Sequence, residues 1–264
     1  MTAYTIFVYH LKGGVGKSTL VVNLAGALSM CKEKYRVLIV DMDPQCASTW
    51  MMGRTPKDLE RSVCGVMLGI SSCSKLIERT KIPQVDILPG STDMWVADFN
   101  IERERDRDKL LQNALQEVKG LYDFILVDAH NKYGWTEINA LRASNGVIIP
   151  IQCSYLPLMN LLALHKILER FEHSYNQKVN ILGYVLTMYH KKVIHHSQVS
   201  IETEKILREK FGNKVFNTVI EYSEDVELAA KVHEPVEYYS RWLRVSKEYM
   251  ALAKEVIERA RNSL

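Results

Sequence analysis

Lys12-Gly13-Gly14-Val15-Gly16-Lys17-Ser18-Thr19 is the stretch that decides how this chain folds. An apolar run, Tyr4-Thr5-Ile6-Phe7-Val8-Tyr9, precedes it, and Leu20-Val21-Val22-Asn23-Leu24-Ala25 follows with helical spacing. Strand, glycine-rich turn and helix in that order make a phosphate site. The glycines let backbone N–H groups turn inward around an anion, and the start of a helix adds the positive end of its dipole. Lys17 can reach the β- and γ-phosphates of a nucleotide, and the Ser18 hydroxyl can ligate Mg²⁺. The usual G-x-x-x-x-G-K-[ST] spacing would place a glycine at position 11, where this chain has Leu11. A lysine, Lys12, stands instead directly before the paired glycines.

Composition sets the outer bounds. A chain of 264 residues that is 47% hydrophobic and 25% charged resembles an ordinary soluble globular protein and is long enough to bury a full core. A net charge of +3 is compatible with nucleic acid but too mild to argue for it alone. The five cysteines (Cys31, Cys46, Cys64, Cys73, Cys153) form no C-x-x-C pair and read as free thiols in a reducing cytoplasm. The first residues run straight into a strand and no apolar run approaches the length of a membrane span, so a cytoplasmic protein without a signal peptide is expected.

Further strands follow in order. Val37-Leu38-Ile39-Val40 is a continuous apolar run of the kind buried on both faces in a parallel sheet, and it ends in Asp41-Met42-Asp43-Pro44-Gln45. Tyr122-Asp123-Phe124-Ile125-Leu126-Val127 ends likewise in Asp128. Carboxylates at the carboxyl ends of such strands fall where open α/β sheets place their ligands. Asp128 reads as a Mg²⁺ ligand, direct or through water, with Ser18 as the other metal candidate. Strands are also expected at 85–90, 146–152, 180–189 and 215–220. Brief helices are expected at 57–68 and 74–79, and longer ones at 101–119, 158–172 and 197–211. The alternating charges from Glu102 to Lys109 read as a solvated helix face. A last helix from about Ser240 would place Trp242, Val245, Tyr249, Leu252, Val256 and Ala260 on one packing side. His130 suggests a structural or phosphate-proximal role, because hydrolysis at such a site needs no general-base histidine. His195-His196 carries no metal reading, since neighbours on one helix point apart.

The K-G-G-x-G-K-[ST] form resembles the deviant phosphate loop of the ParA/Soj/MinD family of P-loop ATPases. D-x-D-P-Q at 41–45, L-T-M-Y at 186–189 and V-F-x-T-V-I at 215–220 match that family in order. The resemblance implies an α/β fold, a mostly parallel twisted sheet with helices on both faces, with residues 1–264 as a single P-loop ATPase domain. It implies ATP and Mg²⁺ as cofactors, bound by Lys12, Gly13, Gly14, Val15, Gly16, Lys17, Ser18 and Thr19. It assigns catalysis to Lys12, Lys17 and Asp43, with Asp43 holding or polarising the attacking water and, as a metal residue, helping to organise Mg²⁺, while Asp41 lies behind the direct ligands or supports the metal. It further implies a homodimer closed by ATP, Lys12 reaching across to the partner's phosphates, non-specific DNA as ligand and a ParB-like adaptor that stimulates hydrolysis. The short Soj-like group, without an N-terminal DNA reader, fits best.

Three departures qualify these expectations. The family's D-x-P-P after the second acidic strand is here Asp128-Ala129-His130-Asn131, which removes the stiffening prolines. Ser154 replaces the glutamate of P-[VI]-Q-x-E. The stretch after Ile220 is acidic (Glu221, Glu224, Asp225, Glu227), and acids repel DNA phosphates. The basic candidates for DNA are therefore Lys191, Lys192, Lys214, Lys231, Arg241, Arg244 and Lys247. A MinD-like membrane switch and an ATP-binding scaffold with negligible turnover are the alternatives. The missing basic tail disfavours a membrane, and Ala129 in place of a cysteine excludes an iron–sulfur carrier like the nitrogenase iron protein.

Overall fold

The computed structural model describes residues 2–153, 157–191 and 194–263. Its first third comprises β1 (Tyr4–Val8), α1 (Lys17–Met30), β2 (Val37–Met42), α2 (Ala47–Met51), α3 (Val63–Met67), α4 (Cys73–Leu76), β3 (Glu78–Arg79) and β4 (Val85–Leu88). Then come α5 (Ala97–Ile101), α6 (Leu110–Leu115), β5 (Phe124–Ala129), α7 (Trp135–Ala143), β6 (Gly146–Gln152), α8 (Pro157–Tyr175) and β7 (Ile181–Thr187). The remainder is α9 (Ile194–Phe211), α10 (Asp225–Lys231), α11 (Val236–Tyr239) and α12 (Arg244–Arg261).

The strands form a seven-stranded sheet in the order β3-β4-β2-β5-β1-β6-β7, parallel except where β3 pairs antiparallel with β4. Successive side chains on a strand point to opposite faces, so each apolar run feeds two cores. Phe7 and Tyr9 pack on one side with Leu38, Val40, Ile125, Val127 and the α7–α8 side chains. Ile6 and Val8 pack on the other with Ile39, Leu126, Val185, α1 and α12. α1 is buried along most of its length because it lies between the sheet and α12, which explains its nearly unbroken apolar sequence. The five cysteines are all buried and unpaired.

Four expectations are corrected. Residues 102–109 form turns between α5 and α6, not the middle of a helix. No apolar residue stands between Ile101 and Leu110 to seat a helix there, and the charges find partners on α7 instead: Arg107 lies over the Trp135 ring at 4.4 Å and Asp108 pairs with Arg142 at 3.0 Å. Glu78 and Arg79, expected at the end of a helix, make the short antiparallel edge strand. Trp242 precedes α12 and is 74% exposed, while Val245, Tyr249, Leu252, Val256 and Ala260 are buried as the apolar stripe requires.

Residues 215–220 run beside β7 without becoming a strand. Phe216 N–H donates to Tyr184 O at 2.9 Å and Ile220 N–H to Leu186 O at 2.8 Å, but the middle leaves the ladder. There the Glu255 carboxylate of α12 takes the N–H groups of Asn217 and Thr218, both at 2.8 Å. A helix side chain thus replaces backbone acceptors at the sheet margin. Arg259, one turn on, donates to the carbonyls of Leu182, Asn213, Lys214 and Val215.

Glu255→Ala strips two backbone donors of their acceptor, so unfolding in denaturant should show a loss of about 1–3 kcal/mol. Amide exchange at Asn217 and Thr218 should accelerate, while exchange in β1 and β5 stays slow under conditions where the fold remains intact.

Candidate functional site

The glycine loop connects β1 to α1 at the carboxyl edge of the sheet. Gly14 and Gly16 hold φ of 74° and 86°, a left-handed conformation that side-chain-bearing residues adopt only at a cost. Buried His10 steers the start of the loop: its Nδ1 accepts from Lys12 N–H at 2.8 Å. Burial, and then the charges of Lys17 and Lys12, push His10 down to about 4, so the ring stays neutral and available as an acceptor. Lys12 Nζ donates to Gln152 Oε1 at the end of β6 at 3.0 Å.

Strand register assembles the acidic half. Asp128 aligns with Val8 on one side and with Asp41 on the other, so two carboxylates share one neighbourhood beside the glycine loop. Each is braced by a hydroxyl from α2: Ser48 Oγ donates to Asp128 Oδ2 at 2.6 Å, and Thr49 Oγ1 donates to Asp41 Oδ2 at 2.6 Å. Thr49 N–H also donates to Asp41 Oδ2, and Asp43 N–H to Asp41 Oδ1. Asp43 Oδ1 accepts from Gln45 N–H at 2.8 Å. Burial first, and Asp128 next, raises Asp41 above the usual carboxylate range. Burial likewise raises Asp128, against the stabilising hydroxyls of Ser48 and Ser18. Lys17 faces this group; burial lowers its pKa while Asp128, Asp43 and Glu137 pull it back up.

Asp128 Oδ1 is buried with no hydrogen-bond partner among the described residues. A buried anionic oxygen without a donor, beside Asp43 and the Ser18 hydroxyl, suits a hard divalent cation. No cluster of three or more His, Cys, Asp or Glu with metal-ligand geometry occurs among the described residues. Mg²⁺ keeps several waters and takes substrate phosphates plus one or two protein oxygens, which Asp128, Asp43 and Ser18 could supply. A cavity of about 110 Å³, lined by Gly16, Thr19, Thr187, Met188, Tyr222 and Tyr249 among others, adjoins the loop on its α12 side. A larger groove of about 620 Å³ lies at the opposite edge of the sheet, around Asn180, Lys214 and Arg259, and contains none of the acidic cluster.

Comparison with known proteins agrees with this geometry. Residues 3–181 match a family model described as an AAA domain. The chain is 32% identical over 255 residues to the chromosome partitioning protein ParA of Caulobacter vibrioides, covering 95% of this chain and 92% of that relative. It is 33% identical over 251 residues to the sporulation initiation inhibitor protein Soj of Bacillus subtilis, covering 95% and 97%.

This chain belongs to the ParA/Soj family of P-loop ATPases.

Its fold is shared with the cobyrinic acid a,c-diamide synthase of Mycobacterium smegmatis, solved with a bound ATP analog and magnesium: TM-score 0.83, 25% identity, 97% of this chain and 94% of that one.

Within this ParA/Soj-type site, Lys12, Gly13 to Thr19, Asp43 and Asp128 come together at one edge of the sheet. The described basic candidates for DNA lie at several places in the fold, some of them in local pairs. Lys191 and Arg244 both pair with Glu221 at 2.7 Å, and Arg244 pairs also with Glu248. Lys214 donates to Ile181 O at the far end of β7. Arg241 lies over Trp242, Lys231 and Lys247 are exposed, and Lys192 and Ser154 lie outside the described residues. The side chains of His195 and His196 also lie outside the described ones. Pattern reading missed His10, Ser48, Thr49, Glu137 and Gln152; the hydroxyl pair five residues beyond Asp43 was the available signal for two of them.

The raised carboxylates set a pH dependence. Unfolded Asp ionises near pH 4 (about 3.9), while folded Asp128 holds its proton higher, so the unfolded state binds fewer protons between those values. Stability of the nucleotide-free protein therefore falls as pH rises from the carboxylate range toward neutrality. Asp128→Asn removes that cost. Its Tm without nucleotide should exceed the parent's by a few degrees at pH 8, with little difference at pH 4.

Proposed function

We propose that this chain is an ATP-switched partition or positioning ATPase of the ParA type. The observation that carries the reading is the convergence of Lys17, Asp43 and the donor-free oxygen of Asp128 on the mouth of the glycine loop. The loop N–H groups and Lys17 would bind the triphosphate, and the cavity beside Gly16 and Thr19 would receive the base. Ser18, Asp128 and Asp43 are the residues that would hold Mg²⁺. When bound, the ion supplies charge neutralisation between the phosphate oxygens.

Asp43 would hold the attacking water, a reading supported by the anchoring of its Oδ1 by Gln45 N–H. Water attack on a γ-phosphate needs little covalent help, so orientation and charge do the catalysis. Lys12 is the second cation. Its present partner, Gln152, is in its own subunit, and exchange of that bond for a phosphate of a second copy would couple dimer closure to turnover. The ATP-bound homodimer would bind non-specific DNA through part of the basic set, and a ParB-like adaptor would stimulate hydrolysis and release. The MinD-like alternative has less support, because the apolar side of α12 is packed into the core with α1. No described helix is long and apolar enough to cross a membrane.

Lys12→Ala should bind ATP with near-parent affinity and lose hydrolysis, measured by equilibrium nucleotide binding and phosphate release. Lys17→Ala should lose ATP-dependent retention on DNA that the parent shows in sedimentation. A parent protein that stays monomeric with Mg-ATP when hydrolysis is blocked would overturn the switch. Full turnover in Lys12→Ala would overturn the assignment of the lysine.

A further inference from the structure

The segment from Ala129 to Thr136 contains no proline, yet side chains hold it at several points. Tyr9 OH donates to Lys132 O at 2.8 Å, and Lys132 Nζ pairs with Asp98 at 2.7 Å. Asp98 also accepts from Thr136 N–H at 2.9 Å, so α5 is tied to the start of α7. Asn131 closes against the glycine loop: its Nδ2 lies 3.2 Å from where a Cβ on Gly13 would be. His130 turns the other way, with Nδ1 3.4 Å from Asp43 Oδ1. Adjacent residues thus touch the two other nucleotide loops, Asn131 the glycine loop and His130 the loop after β2.

Asp43 Oδ1 is the oxygen that Gln45 N–H already holds at 2.8 Å. The imidazole approaches the same atom from the opposite loop and leaves Oδ2 as the oxygen with no protein donor among the described residues. The His130 ring is itself located by the exposed Trp95, edge-on at a centroid distance of 5.1 Å and 75° between planes. His130 and Asp43 are mostly shielded, at 18% and 11% side-chain exposure, so little water competes for the contact.

We propose that His130 is a positioning residue for hydrolysis: backed by Trp95, it holds Asp43 Oδ1 from across the site so that Oδ2 faces the attacking water. The inference rests on the reading of Asp43 as the water-holding carboxylate. It also gives a role to the departure at positions 130 and 131: contact with the neighbouring loops takes the place of backbone stiffness. A carboxylate held on one oxygen by two loops keeps its orientation, and displacement of about 1 Å in such a group is costly to rate.

The test uses the full chain with Mg-ATP. His130→Ala should lower kcat about tenfold, with binding of a fluorescent ATP analogue within about twofold of the parent. His130→Asn places an amide nitrogen near the Nδ1 position and should restore much of the lost rate. The double change His130→Pro with Asn131→Pro stiffens the segment without an imidazole and should remain as slow as His130→Ala. Trp95→Ala should slow the parent but add little in the His130→Ala background, because the two act through one contact. Where turnover is too slow to resolve, affinity for ADP with aluminium fluoride should fall in His130→Ala while affinity for ADP does not.

Parent rates in His130→Ala, or full turnover in the double-proline protein, would overturn the positioning role. Equal losses of ADP and ADP–aluminium fluoride affinity would also overturn it, by showing a general binding defect. Asp43→Asn separates the two levels. If it abolishes turnover while His130→Ala is unaffected, only this inference fails; if it leaves turnover intact, the parent reading of Asp43 fails and His130 has nothing to position.

Discussion

Two carboxylates that the sheet forces together, Asp41 and Asp128, set the constraint on which the rest of the site depends. Parallel pairing of β2 with β5 leaves them no room to separate, and both are fully buried. Like charges in a low-dielectric setting resist ionisation, which is why hydroxyls from α2 and two backbone N–H groups are directed at them. Lys17 is placed to compensate, and one Asp128 oxygen is still left without a donor. Two buried carboxylates with one donor-free oxygen make a site that a bound cation would stabilise.

The segment from Asp128 to Thr136 shows how a loop can be positioned without stiff residues. Prolines restrict a backbone through its own torsions. Here Tyr9, Asp98 and the contacts of His130 and Asn131 restrict it from outside. Restraint from outside makes the loop responsive to whatever moves those neighbours. Trp95 is exposed, as are Val96 and Phe99 nearby in the chain, and its ring lies edge-on to His130. A perturbation at Trp95 therefore has a short physical route to Asp43.

α12 serves the fold on two sides. Its apolar stripe packs with α1 under the glycine loop, while Glu255 and Arg259 saturate backbone groups along the margin of β7. Arg244 and Glu248, near its start, join Glu221 and Lys191 in a cluster with equal numbers of acids and bases. Several basic residues that look available in the sequence are thus committed to local acceptors. A phosphate backbone would compete with those carboxylates and carbonyls for the same side chains.

The amino-acid sequence determined the order of elements, the buried parallel strands, the glycine loop with its lysines, and the acids that end β2 and β5. These are local patterns: glycine spacing, apolar runs and a helical stripe are each written within about ten residues. It did not determine that 102–109 would be turns, that 215–220 would leave the ladder, or that His10, Ser48 and Thr49 would steer the site. Those outcomes depend on partners distant in the chain, such as Glu255 for Thr218 and Ser48 for Asp128. Only strand register and helix docking bring such groups within hydrogen-bond range. A local pattern specifies which groups are exposed on a strand or helix; the tertiary structure decides which of them meet.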